Sequence, residues 1–203
     1  MIRIVFILLI LQSLQVKAQK GASVVYEYRR EGRVTIKQLL AINDSVAFET
    51  VTYNRGSEVK YKKPLGSGFR SHNTYIDRAR NLVLTQSQPY NRPRYLVEDT
   101  VLKFNWTLVE GEQVILGYTC KKAVAQTRNN TVTAWYAPAL PFSFGPNRTG
   151  GLPGLILELD FGTAANSIRA ISLSDKAEQI VEPTKGKLIT MAEFSKILSE
   201  LRN

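Results

Sequence analysis

At 203 residues the chain has room for one domain or two small ones. It carries 27 Lys and Arg against 17 Asp and Glu, a formal charge of +10, and its 44% hydrophobic and 22% charged residues exclude a disordered, collagenous or coiled-coil chain. With one Cys and one His, a disulfide framework and a Cys/His zinc site are excluded as well, and no cofactor motif is present.

The N-terminus reads as an export signal. Arg3 supplies the positive end, Ile4 through Leu11 is an unbroken apolar run, and Val16-Lys17-Ala18 has the small residues of a signal peptidase site. A spanning helix needs about 20 apolar residues, and Gln12, Ser13 and Gln15 interrupt this run. Residues 1–18 are therefore expected to be removed by cleavage after Ala18, leaving 19–203 as one soluble domain in the periplasm, at the outer membrane or secreted. No Cys stands near the site to be lipidated.

Removing Arg3 and Lys17 leaves +8, unevenly spread. Residues 19–103 hold 15 basic and 8 acidic side chains (+7), and 104–203 hold 10 and 9 (+1). A basic half attracts polyanions. Export separates the protein from nucleic acid, so an anionic lipid surface, an outer-membrane protein or another acidic protein fits the charge. A solvated basic face is the bland alternative.

From residue 23 onward, alternation at period two is broken by turn residues every eight to twelve positions, the pattern of antiparallel β structure. Strands are expected at 23–30, 34–42, 45–53, 58–62, 74–78, 82–87, 94–97, 101–104, 112–126, 131–137, 155–161 and 167–173. Along 112–126, Val114, Leu116, Tyr118 and Cys120 would share one face, with Ile115 opposite. Strand–helix–strand alternation is missing, which disfavours a parallel sheet. The expected fold is mainly β, a single domain with a strongly curved antiparallel sheet or open barrel of about 10–12 strands. One C-terminal helix, 191–202, closes it. Thr190 and Glu193 form its capping box, Ile189 and Phe194 its hydrophobic staple, and Phe194, Ile197, Leu198 and Leu201 its apolar stripe.

Between them, residues 137–154 gather four Pro (138, 141, 146, 153) and four Gly (145, 150, 151, 154). Leu152-Pro153-Gly154-Leu155 has the composition of a type II turn. Prolines lower the entropy of the unfolded segment, and Trp135, Tyr136, Phe142 and Phe144 give it apolar area to pack down. The string Gly151-Leu152-Pro153-Gly154-Leu155-Ile156 resembles the motif that names the GLPGLI family of exported Bacteroidota proteins. Trp106-Thr107-Leu108, Gly117 through Ala123, Ala134 through Pro138, Leu140-Pro141 and Gly145-Pro146 extend the resemblance over about 100–190. It implies an exported protein of no established activity. Members often place aromatic residues before the named motif, where this chain has Asn147-Arg148-Thr149.

Candidate chemistry is sparse. Cys120 and His72 are the one Cys–His combination, but Cys120 sits at an apolar strand position and reads as a buried hydrophobe. Glu158 and Asp160, about 7 Å apart at i and i+2 on a strand, could serve a hydrolase or line a solvated face. Asn43, Asn105, Asn129 and Asn147 stand in glycosylation sequons, although bacteria generally lack that machinery. Ser45 and Thr100 stand in Asp-Ser-Val and Asp-Thr-Val triplets that the resemblance marks as O-glycosylation acceptors. The expectation is a monomeric, non-catalytic binding or carrier protein holding an apolar or lipid-like ligand. An accessory protein docking on an outer-membrane or secreted partner is the alternative, and a hydrolase the third. Trp135, Tyr136, Phe142, Phe144 and Arg148 are the expected contact residues.

Overall fold

The computed structural model describes residues 21–30, 33–42, 45–53, 72–89, 91–128, 130–162, 166–176 and 180–201, without the side chains of 30, 33–42, 51–53 and 72. The export segment 1–18 and the expected strand 58–62 lie outside the described residues.

Among the described residues twelve strands run in the chain order β1 (Gly21–Arg30), β2 (Arg33–Ile42), β3 (Val46–Tyr53), β4 (His72–Asp77), β5 (Leu82–Ser87), β6 (Tyr95–Asp99), β7 (Thr107–Ile115), β8 (Tyr118–Gln126), β9 (Thr131–Ala137), β10 (Leu155–Asp160), β11 (Asn166–Ser174) and β12 (Lys187–Thr190). The helix α1 (Met191–Glu200) follows. All strands join one sheet in the spatial order β12-β6-β5-β4-β3-β2-β1-β11-β10-β9-β8-β7. The fold is mainly β, a curved single sheet closed by one C-terminal helix.

Chain connectivity forces the curvature. Strands β6 and β7 stand ten positions apart in the sheet, roughly 48 Å if it were flat. Yet Asp99 and Thr107, which end and begin them, are eight residues apart, a reach of at most about 29 Å. The sheet must curl until its two ends approach. Its ends, β12 and β7, are not paired to each other, so the barrel stays open.

Inside the curl lies the main core: Val24 and Tyr26 of β1, Ala47 of β3, Ile76 of β4, Val83 of β5, Ile115 of β7, Cys120 of β8 and Leu157, Leu159 and Ile168 from β10 and β11. On the outer face Tyr75, Leu84 and Leu96 are covered by Ile180, while Tyr95 and Val97, on the same face of the sheet as Val83, meet Ile189 and Phe194. The staple and capping box are formed: the Glu193 amide donates to the Thr190 hydroxyl at 3.2 Å, and the Thr190 amide donates to the Glu193 carboxylate at 2.7 Å. Tyr95 and Phe194 rings pack tilted, 6.0 Å apart.

Four local expectations are corrected. Residues 101–104, expected as a strand, form an irregular connection between β6 and β7. One pair, β12 with β6, is parallel. The chain crosses from β11 and adds its short last strand outside β6, where Lys187 N donates to Arg94 O. The single strand expected at 112–126 is two, β7 and β8, reversed by the turn at Leu116 (φ 50°) and Gly117 (φ 83°). Cys120 therefore shares its face with Ile115, while Val114 and Leu116 are exposed. The helix ends at Glu200, and Leu201 caps it with its side chain exposed.

Candidate functional site

The Gly- and Pro-rich segment between β9 and β10 turns back into the mouth of the curl. Phe144 and Gly150 pair as a small antiparallel bridge. The amide of Gly145 donates to Thr149 O at 3.0 Å and that of Ile156 to Phe144 O at 2.9 Å. Phe142, Phe144 and Leu152 are buried within the main core, so the segment fills the space it covers. The expected type II turn is absent. Gly154 N donates to Leu152 O at 2.8 Å, a γ-turn about Pro153, and Leu155 N donates away to Leu140 O at 3.0 Å. Glycine at 154 is set by a close approach, since a Cβ there would lie 2.3 Å from the Ala137 carbonyl oxygen.

The tip of this segment meets the opposite strands. Asn147 and Arg148 both take left-handed backbone, φ 59° and 61°, a strained conformation that Asn tolerates better than most residues. The Arg148 amide donates to buried Glu49 of β3 at 3.3 Å, and its guanidinium donates to Asp99 at 2.8 Å and to Thr100 O at 3.1 Å. These contacts place Arg148 directly behind the surface formed by β6 and the residues that follow it.

That surface carries a trough made of two adjoining clefts. One, about 630 Å³, runs from Arg80 and Asn81 past Glu98, Asp99 and Thr100 to the start of α1 at Thr190–Glu193. The other, about 340 Å³, is lined by Arg78, Asn81, Val101 through Asn105, Gly150 and Gly151. Asn81, itself left-handed at φ 53°, belongs to both. The first cleft is framed by a charge cluster: Arg80 donates to Asp77 at 2.6 Å, to the Tyr75 hydroxyl at 3.0 Å and to Glu182. Burial alone would raise the Asp77 pKa, but hydrogen bonds from the Arg80 backbone and guanidinium, together with its charge, hold the carboxyl below its ordinary value. In the second cleft Phe104 stacks on Trp106 at 5.2 Å and 18°, and Trp106 is pinned by its indole N–H donating to Gly150 O at 2.9 Å.

Of the expected contact residues, Arg148 backs the trough and Gly151 of the named motif lines it. Trp135 is half-buried on the other side of β9 from Tyr136, under the Lys122 ammonium at 5.8 Å. Tyr136, Phe142 and Phe144 are core residues. Ser45 is half-buried and Thr100 is exposed beside the Arg148 contact.

The carboxylate pair is engaged structurally. Glu158 accepts from Gln113 at 2.9 Å and pairs with Arg169 at 3.2 Å, and Asp160 accepts from the Gly162 amide at 2.8 Å. Cys120 is fully buried, its thiol 3.5 Å from Tyr118 O and pushed up to about 11 by burial, so it stays protonated at neutral pH. Six strands separate the backbone position of His72 from it in the sheet. Among the described residues no group of three His, Cys, Asp or Glu is placed to hold a metal, and no helix is long and apolar enough to cross a membrane.

Asn81, Arg78, Lys103 and Phe104 were not singled out by the sequence. Their one signal there is the basic excess of residues 19–103, which supplies both cations of the smaller cleft.

Comparison with known proteins places this architecture. No match is found among curated proteins. Two solved structures of PNGF-II share the fold. The one in the P21 space group superposes with a TM-score of 0.65 at 18% identity over 89% of this chain and 33% of its own. The one in the C2 space group gives 0.63 at 20% over 90% and 33%. This chain thus spans about a third of either. The model of the N-glycanase peptide N-terminal domain matches residues 37–193, a span that takes in the trough and the Gly-Pro segment, and the chain belongs to that family.

Proposed function

We propose that this chain is an exported, non-catalytic binding domain whose ligand is a glycan or glycopeptide held in the trough around Asn81. The observation that carries the reading is the trough itself: a long, shallow, open surface with amide, hydroxyl, charged and aromatic groups, shaped for a polar chain. Family membership supports the ligand class, since the family takes its name from an N-glycanase. An apolar carrier would need Phe142, Phe144 and Leu152 to withdraw from the core they now complete. Hydrolysis by Glu158 and Asp160 would have to break the hydrogen bonds that hold both. Titration of an N-glycopeptide into the protein, followed by NMR, should move the amides of residues 78–82 and 102–105. Phe104→Ala should weaken the binding. Saturating glycopeptide that moves none of these signals, or release of the glycan by the purified chain, would refute the reading.

A second reading, accessory docking on an outer-membrane or secreted protein, has its own observation. β7 ends the sheet and exposes Leu108 and Val114 at 59% and 65%. Long apolar edge strands invite pairing. Lysine at both positions should then abolish crosslinks formed in cells without disturbing glycopeptide binding.

A further inference from the structure

The smaller cleft differs from the rest of the trough in charge. Among the described residues its lining includes Arg78 and Lys103 and no Asp or Glu, whereas the adjoining cleft sets Glu98, Asp99 and Glu193 against the single cation Arg80. The trough is thus polarised along its length, with a cationic end beside Gly150 and Gly151.

That end is also preformed. The Arg78 guanidinium lies over the Phe144 ring at 5.6 Å and presses on Gly150 so closely that a Cβ there would sit 2.5 Å from its Nη1. Holding a cation in place before binding removes an ordering cost. Across the cleft, the stack with Trp106 and the indole bond to Gly150 fix Phe104. Gly151 leaves the gap between them open, because a Cβ on it would project within 3.5 Å of Arg78 Nη2 and 3.9 Å of Trp106 Cδ1. Asn81 and Asn105 stand exposed at the rim, each with an amide donor and an acceptor suited to hydroxyl groups. A fixed aromatic face, two amides and two cations form a site for a hydroxyl-rich ring with negative charge.

We propose that the Arg78–Lys103 end of the trough binds a saccharide residue carrying a carboxylate or a sulfate. The proposal rests on the trough's being the ligand site. Phe104 then packs on the ring, Arg78 and Lys103 take the anion, and Asn81 and Asn105 read the hydroxyls, with the rest of the chain leading toward Asp99 and α1.

Three trisaccharides, identical except for a terminal glucose, glucuronate or 6-sulfoglucose, are titrated into the full chain by calorimetry, beside vesicles of phosphatidylglycerol. The acidic sugars should bind about tenfold tighter than the neutral one, the size of one charge-assisted hydrogen bond. The advantage should fall with salt, since Lys103 is exposed. Whether glucuronate or sulfate binds better tells which anion the end prefers. Lys103→Gln should remove most of the advantage of the acidic sugars over the neutral one, whereas Phe104→Leu should weaken all three at an unchanged melting temperature. Equal affinity for neutral and acidic sugars overturns the anionic assignment and leaves the trough reading standing. Binding to vesicles but to none of the sugars overturns both, and so does no binding at all.

Discussion

The hydroxyl of Tyr26 on β1 donates to the backbone carbonyl of Ile156 on β10 across 130 residues, at 2.6 Å and fully buried. Strand β11 lies between the two in the sheet, but its ladder with β10 covers only Glu158 to Asp160. A register shift between Ile156 and Glu158 separates the first half of β10 from the second. The carbonyl of Ile156 is therefore left without a strand partner on that side, and a tyrosine supplies the donor. This bond ties the exit of the Gly-Pro segment to the strand that opens the domain.

Replacing Tyr26 by Phe keeps the ring and removes the donor. A buried carbonyl without a partner costs about 1–3 kcal/mol, so Tyr26→Phe should lower the melting temperature by about 3–10 °C for a domain of this size. A melting temperature within a degree of the parent would show that the Ile156 carbonyl has another partner.

Gly154 offers a second, steeper test. A methyl group there would lie 2.3 Å from the oxygen and 2.7 Å from the carbon of the Ala137 carbonyl, and 3.0 Å from Pro138 Cα. These are backbone atoms, so relief requires the end of β9 and the start of β10 to separate. Gly154→Ala should cost more than about 2 kcal/mol. Gly117→Ala is the comparison: φ is +83° but nothing lies within 4 Å, so only left-handed strain of about 1 kcal/mol is added. Urea unfolding of both variants checks the order. A Gly117 variant less stable than the Gly154 one would contradict the packing described for the motif.

These two glycines also show what the sequence makes legible. Local chemistry is readable: the Thr190–Glu193 capping box, the Ile189–Phe194 staple and the turns within 137–154 follow from residue types at short spacing. The reversal at Leu116-Gly117 is not, because Leu at a left-handed position carries none of the Asn or Asp preference that marks such a turn. Nor is the insertion of β11 between β1 and β10, which pairs Tyr26 with Ala170 across most of the chain. The trough is the least legible of all. It forms from 78–82, 98–105, 150–151 and 188–193, four segments that only the curl brings together.

Acid should weaken the Arg80 end of the trough. Asp77 is held below its ordinary pKa in the folded protein, so the stability it contributes is fully present above the unfolded value of about 3.9. That contribution disappears as pH falls through the folded value. The stability difference between the parent and Asp77→Asn should be constant from pH 7 down to about pH 5 and shrink below about pH 4. Glu193, lowered by the Thr190 amide and hydroxyl, adds a loss of the same sign at the helix N-terminus. A difference that grows on acidification would reverse the assigned direction for Asp77.

The turn joining β7 to β8 predicts a gain rather than a loss. Leu116 holds φ 50° with 41% of its surface exposed, and Gly117 follows at φ 83°, the two left-handed positions of a two-residue hairpin turn. A branched apolar side chain is strained there and buries little in return. Asn relieves part of the strain and presents an amide to water, so Leu116→Asn should raise stability by about 0.5–1 kcal/mol. It leaves Ile115 and Tyr118, which face each other across the ladder, undisturbed. Urea midpoints settle the matter: a shift upward at unchanged slope is expected. A shift downward would mean that Leu116 makes an apolar contact worth more than its strained backbone costs, and that the β7 edge is better packed than its exposure implies.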